Sequence, residues 1–372
     1  MSQTAFSSSL RPRPALKLLG ALLVAGTLSG CTGTEETAPA LRLALLLAGG
    51  TQLATVDTAP ADGSAATTYT PTLSTPLDVA QGRELYTVSG RTLLLVRQDA
   101  AESRDVTLKP VNVFAAPPFT PCWQQSAFNP ARTRLAVLSQ CPNDAVQRLA
   151  LYDTAGTVIW TASLGTAPVT TNTVDAPPVR VAVVGDVAVV SRPALGGGSE
   201  VIRAAPNQST DPAFAKVAVT SAPERTVAIR DLALLGTVIH AATDSGVYPL
   251  LDTGLPDLTK RVVALGERRY DRLWGANLGT RNLLLAWRDN AIAGGGDQYL
   301  RVWDGTSATA QNVTYVNDLR DLTLAPDGNL YLLSRTALTR YDAVLGLQNG
   351  NWQPRSLLNN LGDARALTWL IP

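Results

Sequence analysis

The chain has 372 residues, with 31 basic and 30 acidic side chains, a formal charge of +1 and only 16% charged residues. Its 29 glycines, 24 prolines and short alternating runs of Val, Thr, Leu and Ala point to an all-β body, and the absence of any basic run argues against a nucleic-acid partner. One histidine, His240, leaves Ser-His-Asp catalysis, His-rich metal sites and histidine-based lyase chemistry short of imidazoles.

Residues 1–30 read as a signal peptide. Arg11, Arg13 and Lys17 make a positive n-region, and the apolar run over 18–28 is too short to span a bilayer as a helix. The stretch "LSGC" (28–31) resembles the lipobox of bacterial lipoproteins. That resemblance implies cleavage between Gly30 and Cys31, a diacylglyceryl thioether on Cys31 and a further N-acyl chain, and two or more chains anchor durably. Thr32, rather than Asp, follows the cysteine, which favours the outer membrane in a cell that has two. The expected localisation is that of an exported, membrane-anchored lipoprotein. Residues 31–40 are small and polar, a flexible spacer between the lipid and a single folded domain over 41–372. Without the leader's three cations the chain carries 28 basic and 30 acidic groups. No second long apolar run is present, so the lipid on Cys31 is the expected membrane contact.

From there a hairpin recurs. "LALLLAGGTQLATVD" (43–57), "LYTVSGRTLLLVRQD" (85–99), "LAVLSQCPNDAVQRLALYD" (135–153), "VAVVSRPALGGGSEVIRAA" (187–205), "VIHAATDSGVYPLLD" (238–252), "LLLAWRDNAIAGGGDQYLRVWD" (283–304) and "LYLLSRTALTRYD" (330–342) each read as strand, turn, strand. Their ends fall at Asp57, Asp99, Asp153, Ala205, Asp252, Asp304 and Asp342. A period of about 40 to 50 residues with several short strands per unit is what β-propeller blades produce. "RDLTLAP" (320–326) precedes the last hairpin, and its near copy "RALTWLIP" (365–372) has none after it, whereas the first hairpin lacks such a strand before it. The two chain ends therefore complete one blade. The expected fold is a single all-β propeller of seven blades, each of about four antiparallel strands, closed by pairing of the N- and C-terminal strands.

Cys122 and Cys141 lie equally far from the turn Asn129-Pro130-Ala131-Arg132, so a hairpin places them opposite one another, and an exported compartment lets them oxidise. A disulfide is expected, the alternative being two buried free thiols. With no second Cys or His nearby, metal ligation is not expected.

The remaining motifs have structural readings first. His240 sits inside a strand and reads as a satisfied core or channel-facing imidazole. The triple glycines at Gly196, Gly197 and Gly198 and at Gly294, Gly295 and Gly296 lack a following Lys-Ser or Lys-Thr and read as mobile hairpin tips rather than phosphate loops. "DGN" at Asp327 and "DTAG" at Asp153 are turn signatures, not calcium loops. Trp123, Trp274, Trp303 and Trp369 are expected to pack blade on blade. Two Arg-Asp pairs, Arg230-Asp231 and Arg320-Asp321, occupy matching places and read either as a channel-lining site or as an ion-pair ring.

"LALYDTAGTVIWTASLGT" (149–166), with Asp153, Gly156 and Trp160, resembles the repeat of PQQ-like propellers, and "RVWD" (301–304) resembles a fragment of a WD repeat. Lipobox plus propeller is also similar in plan to the lipoprotein subunit of the outer-membrane β-barrel assembly machine. The resemblances cover too little of the chain to bring a function with them. The expectation is a non-catalytic cell-envelope lipoprotein, a propeller scaffold for an envelope protein or a surface polymer, with no cofactor. The alternative is a ligand- or metal-binding propeller enzyme, quinoprotein dehydrogenase-like or lactonase-like, with its site in the central channel.

Overall fold

The run Leu43 to Leu47 is apolar at every position, and in the computed structural model every one of those side chains is buried. A strand buried on both faces must lie between two other layers. Leu43, Leu45 and Leu47 face one neighbouring sheet, with Tyr331 and Leu333, while Ala44 and Leu46 face another, with Leu85, Leu93 and Leu95. This arrangement repeats around the molecule. The structure describes residues 41–58, 67–68, 71–77, 81–168, 175–209, 211, 216–289 and 299–372. Cys31, Gly30, the spacer and the glycines at 294–296 lie outside them.

The strands of the body form seven sheets, the blades of a β-propeller. Blade 1 runs outward from Ala366–Leu370 through Arg42–Leu47 and Gln52–Asp57 to Leu73–Pro76. Blade 2 is Gly82–Thr87, Leu93–Arg97, Ala101–Arg104 and Pro110–Val113; blade 3 is Trp123–Phe128, Arg134–Ser139, Val146–Asp153 and Val158–Thr166. Blade 4 has Arg180–Val184, Val187–Pro193 and Ser199–Ala205, with Val219–Thr220 and Glu224–Thr226 both pairing on the third strand. Blade 5 holds three strands, Ile229–Leu235, Val238–Thr243 and Gly246–Pro249. Blade 6 is Arg272–Leu278, Arg281–Trp287, Tyr299–Trp303 and Gln311–Tyr315. Blade 7 is Leu319–Leu324, Asn329–Ser334, Leu338–Asp342 and Pro354–Asn359, with Thr67–Thr68 parallel on its outer edge. Among the described residues one α-helix, α1 (Ala343–Asn349), follows Asp342, whose carboxylate caps Leu345 N at 2.8 Å.

The first strands of the seven blades touch in an unbroken cycle and surround a central channel. Ring closure is as expected: the C-terminal strand supplies the inner position of blade 1 and pairs antiparallel with Arg42–Leu47, Leu43 opposite Trp369 and Leu46 opposite Ala366. Seven apolar clusters fill the seven spaces between adjacent blades, so the core is a set of wedges rather than one centre. Each fully buried Leu in a wedge contributes about 2 kcal/mol. Inner strands crowd most between blades 5 and 6, where a Cβ on Gly275 would come within 2.0 Å of Leu234 O.

One expectation needs correction. The hairpin at 85–99 consists of the first and second strands of blade 2, whereas the other six are second and third strands. Asp99 is therefore in the turn between second and third strands, and the matching landmark is Arg104. Both hairpins of a blade alternate alike around a short turn, so local pattern cannot set the phase. The plan of about four strands per blade holds around the ring; blade 5, with three, continues after Pro249 into a bridge of Leu250 to Pro256 and a short 3-10 turn, Val263–Leu265.

Candidate functional site: an arginine-lined channel mouth

The inner strands of blades 2, 5 and 7 open with the same three residue types: Arg83-Glu84-Leu85, Arg230-Asp231-Leu232 and Arg320-Asp321-Leu322. In each the pairing skips the arginine, passing from Gly82 opposite Arg97 to Glu84 opposite Val96, and likewise across Arg230 and Arg320. A β-bulge re-aims side chains that strict alternation would send to opposite faces. The acids are then free to reach the next blade. Asp231 accepts from Leu232 N at 3.0 Å and from Leu273 N of blade 6 at 2.9 Å. Asp321 accepts from Leu322 N at 2.8 Å and from Leu367 N of blade 1 at 2.8 Å. Glu84 accepts from Ser126 Oγ at 2.6 Å and Gln125 Nε2 at 2.9 Å of blade 3, and from the Tyr86 hydroxyl. All three carboxylates clasp adjacent inner strands.

Arginines gather where the inner strands begin. Arg180, Arg230, Arg269, Arg272 and Arg320, from blades 4 to 7, line a cavity of about 540 Å³ at that mouth, together with Asp271, Asp289, Asp318 and Trp287. Arg180 Nε meets Asp231 Oδ1 at 2.8 Å, and Arg272 Nε meets Asp231 Oδ2 at 3.3 Å. The Arg272 guanidinium stacks over Trp274 at 4.7 Å, which fixes its plane. Arg230 is 4% exposed and fully engaged, with Asp244 at 2.9 Å and the Asp175 carbonyl at 2.7 Å. Arg269 donates from Nε to Asp271 Oδ1 at 2.7 Å and from Nη1 to Asp175 Oδ1 at 2.6 Å, while its Nη2 is buried without a partner. Burial opposes the charge of Arg269, but Asp175 and Asp271 outweigh it and hold its pKa above the usual guanidinium value.

Asp231 therefore pairs across blades, not with its neighbour Arg230, and Asp321 makes no ion pair with Arg320, which meets Asp318 at 2.9 Å. The expected ion-pair ring is a partial one centred on Asp231. Below the mouth, burial raises the pKa of Asp321 to about 6, against the pull of Leu367 N, Arg272, Leu322 N and Trp274 Nε1. Burial and the nearby Glu84 carboxylate push Tyr86 well up.

Apart from Trp274, the other motifs fall away from the channel. His240 is on the second strand of blade 5, buried, Nδ1 3.1 Å from Val238 O, and desolvation lowers its pKa: a core imidazole. Cys122 and Cys141 form the expected disulfide, Cα atoms 5.0 Å apart. Gly196, Gly197 and Gly198 make a defined turn, in which Gly198 (φ 74°) lies so near Thr226 O that a Cβ would approach to 2.4 Å. Asp153 and Asp327 bind the amides of Thr157 at 2.8 Å and Asn329 at 3.0 Å, as turn residues do. Trp160 donates to Asp186 O of blade 4 at 2.9 Å, and Trp123 packs between blades 2 and 3. Trp303 instead donates to Ser307 O in its own blade, and Trp274 Nε1 reaches Asp321 at 3.2 Å in the channel. Among the described residues no group of three or more His, Cys, Asp and Glu could hold a metal ion.

Sequence reasoning missed Arg83-Glu84, Arg180, Arg269 and Asp271-Arg272. The available signal was positional, an arginine at or next to the first residue of an inner strand in every blade except blade 3.

No protein-family model matches the chain, and no curated protein is similar to it. Solved structures are similar in fold. A functionally unknown protein from Desulfotomaculum acetoxidans superposes with a TM-score of 0.54 at 9% identity, covering 90% of this chain and 100% of that one. A protein from Lactobacillus plantarum does so at 0.53 and 14% identity, with the same coverage. Apo AztD from Citrobacter koseri gives 0.53 at 11% identity, covering 87% of this chain and 84% of its own. At such identities the likeness is one of fold.

Proposed function

We propose that the chain is a non-catalytic cell-envelope lipoprotein, tethered through lipid on Cys31, whose propeller is a scaffold that binds an envelope protein or a surface polymer. What carries the reading is the use made of the channel carboxylates. Glu84, Asp231 and Asp321, the groups placed to act as acid or base in a channel site, are spent on amides and side chains that join one blade to the next. His240 is packed away from the channel.

Topology also suits a tethered binder. Arg42, the first residue of the first strand, pairs with Leu370 at the end of the inner strand, so the chain enters the ring on the face opposite the arginine mouth. An attachment there leaves the mouth clear. Mass spectrometry of the N-terminal peptide from the membrane fraction tests the tether: the expected mature chain starts at an acylated Cys31, and Cys31→Ala moves the protein out of that fraction. A mature chain with an unmodified Cys31, or one cleaved elsewhere, contradicts it. The channel-enzyme alternative predicts stoichiometric uptake of calcium or PQQ in equilibrium dialysis; the scaffold reading predicts uptake of neither.

A further inference from the structure

We infer that the cavity at the channel mouth binds a small multivalent oxyanion, a ligand carrying two or more carboxylate or phosphate groups. The inference rests on reading the chain as a binding propeller and names what one of its faces takes.

Hydrogen-bonding capacity decides the sign of the ligand. Both oxygens of Asp231 are occupied by amides and guanidiniums, and those of Asp271 by Arg269 and the Asp289 amide. Asp318 is held by Arg320 and, more distantly at 3.9 Å, by Arg335. Asp318 is about half exposed, but acceptors in Asp231 and Asp271 are thus committed to the protein. Donors are not. Among the described residues Arg180, Arg269 and Arg272 each set Nε against a carboxylate and use Nη1 on a protein acceptor, Arg320 Nε faces Asp318 at 2.9 Å but is buried without a hydrogen bond, and no hydrogen bond runs from the Nη2 of any of the four. In Arg269 that Nη2 is also buried. A buried cationic donor left unpaired is costly, and turning it toward a ligand oxygen relieves that cost.

Geometry makes the donors a site rather than a scatter. They converge from blades 4, 6 and 7 on one concavity of about 540 Å³, within the range of small-molecule sites. Their planes are set by Asp231, by stacking on Trp274 and by Asp175 and Asp271, so little side-chain freedom is lost on binding. Because the arginines stand on separate blades, one monovalent group cannot engage them all, and a ligand with two or more anionic groups can. A second cavity of about 150 Å³, lined by Thr314, Tyr315, Leu332, Thr339 and Tyr341, offers no charged group.

The test is calorimetric titration of the purified full-length protein with citrate, with pyrophosphate and, as a monovalent control, with acetate, at fixed ionic strength. Citrate or pyrophosphate is expected to bind at least about tenfold more tightly than acetate, and the tighter of the two identifies carboxylate or phosphate chemistry. Arg269→Gln is expected to weaken binding by about tenfold or more, while Arg355→Gln, on the outer strand of blade 7, leaves it unchanged. Arg320→Gln repeats the comparison at a more exposed guanidinium, in case Arg269→Gln does not fold. The inference is overturned if both multivalent probes bind no better than acetate, or if Arg355→Gln weakens them as much as the mouth variants do. Either result leaves the tether and its N-terminal mass untouched, so the scaffold reading stands or falls separately.

Discussion

The carboxyl of Asp321 lies in the lumen with Leu322 N, Leu367 N and Trp274 Nε1 around it, and burial lifts its pKa to about 6 from an ordinary 3.8. Between those two values the native state holds a proton that the unfolded chain has released. Stability attributable to this group therefore falls as pH rises from about 4 to about 6 and is level above that. The loss is at most about 3 kcal/mol, and less to the extent that water reaches the lumen. Urea unfolding at pH 4.5 and 7.5 is expected to show the wild type losing stability relative to Asp321→Asn over this interval. The asparagine carries a fixed cost, since one of its ends sets an N–H against an amide, but no such slope. Equal slopes in the two proteins would remove Asp321 from the account. At this scale sequence and structure agree where the role is local: Asp153 and Asp327 were legible as turn residues because they bind amides two to four positions away. Arg180 and Arg272 were not, because the group that orients them, Asp231, is 51 and 41 residues distant along the chain.

Within a blade, what could be read was whatever a single hairpin contains. The cysteine pair follows from the symmetry of one turn: Phe128 stands opposite Leu135, and despite a bulge at Ser139 the sulfurs meet across the end of the ladder. The bond spans 19 residues and ties the start of the blade 3 inner strand to the end of its second strand, on the same face as the arginine mouth. Replacing both cysteines by serine is expected to cost about 3 kcal/mol in urea unfolding; an unchanged midpoint would mean the bridge constrains nothing that unfolding releases. The phase of the blade 2 hairpin, by contrast, depends on which strand sits at the channel, a fact outside the hairpin. The bulges escaped for a related reason. An Arg-acid pair at the head of a strand breaks the alternation used to find strands, and only the ladder shows that Arg83, Arg230 and Arg320 are the skipped residues.

The whole molecule joins these levels. Seven wedges of apolar side chains hold the blades, three carboxylates clasp inner strands across blade boundaries, and the C-terminal strand closes the ring beside the point where the chain enters. The rigid body that results presents an arginine-lined mouth on one face and its N-terminal entry on the other. A lipid tether at Cys31 would raise the local concentration of such a body at its partner without any new contact.

Crosslinking of tagged protein in intact cells, followed by mass spectrometry and run beside Cys31→Ala, tests the scaffold claim most directly. A reproducible envelope partner, captured by the wild type and lost from the unlipidated form, is the predicted result. Capture of no protein, together with copurification of a metal ion or a PQQ-like cofactor, would contradict it and make the channel a site of chemistry.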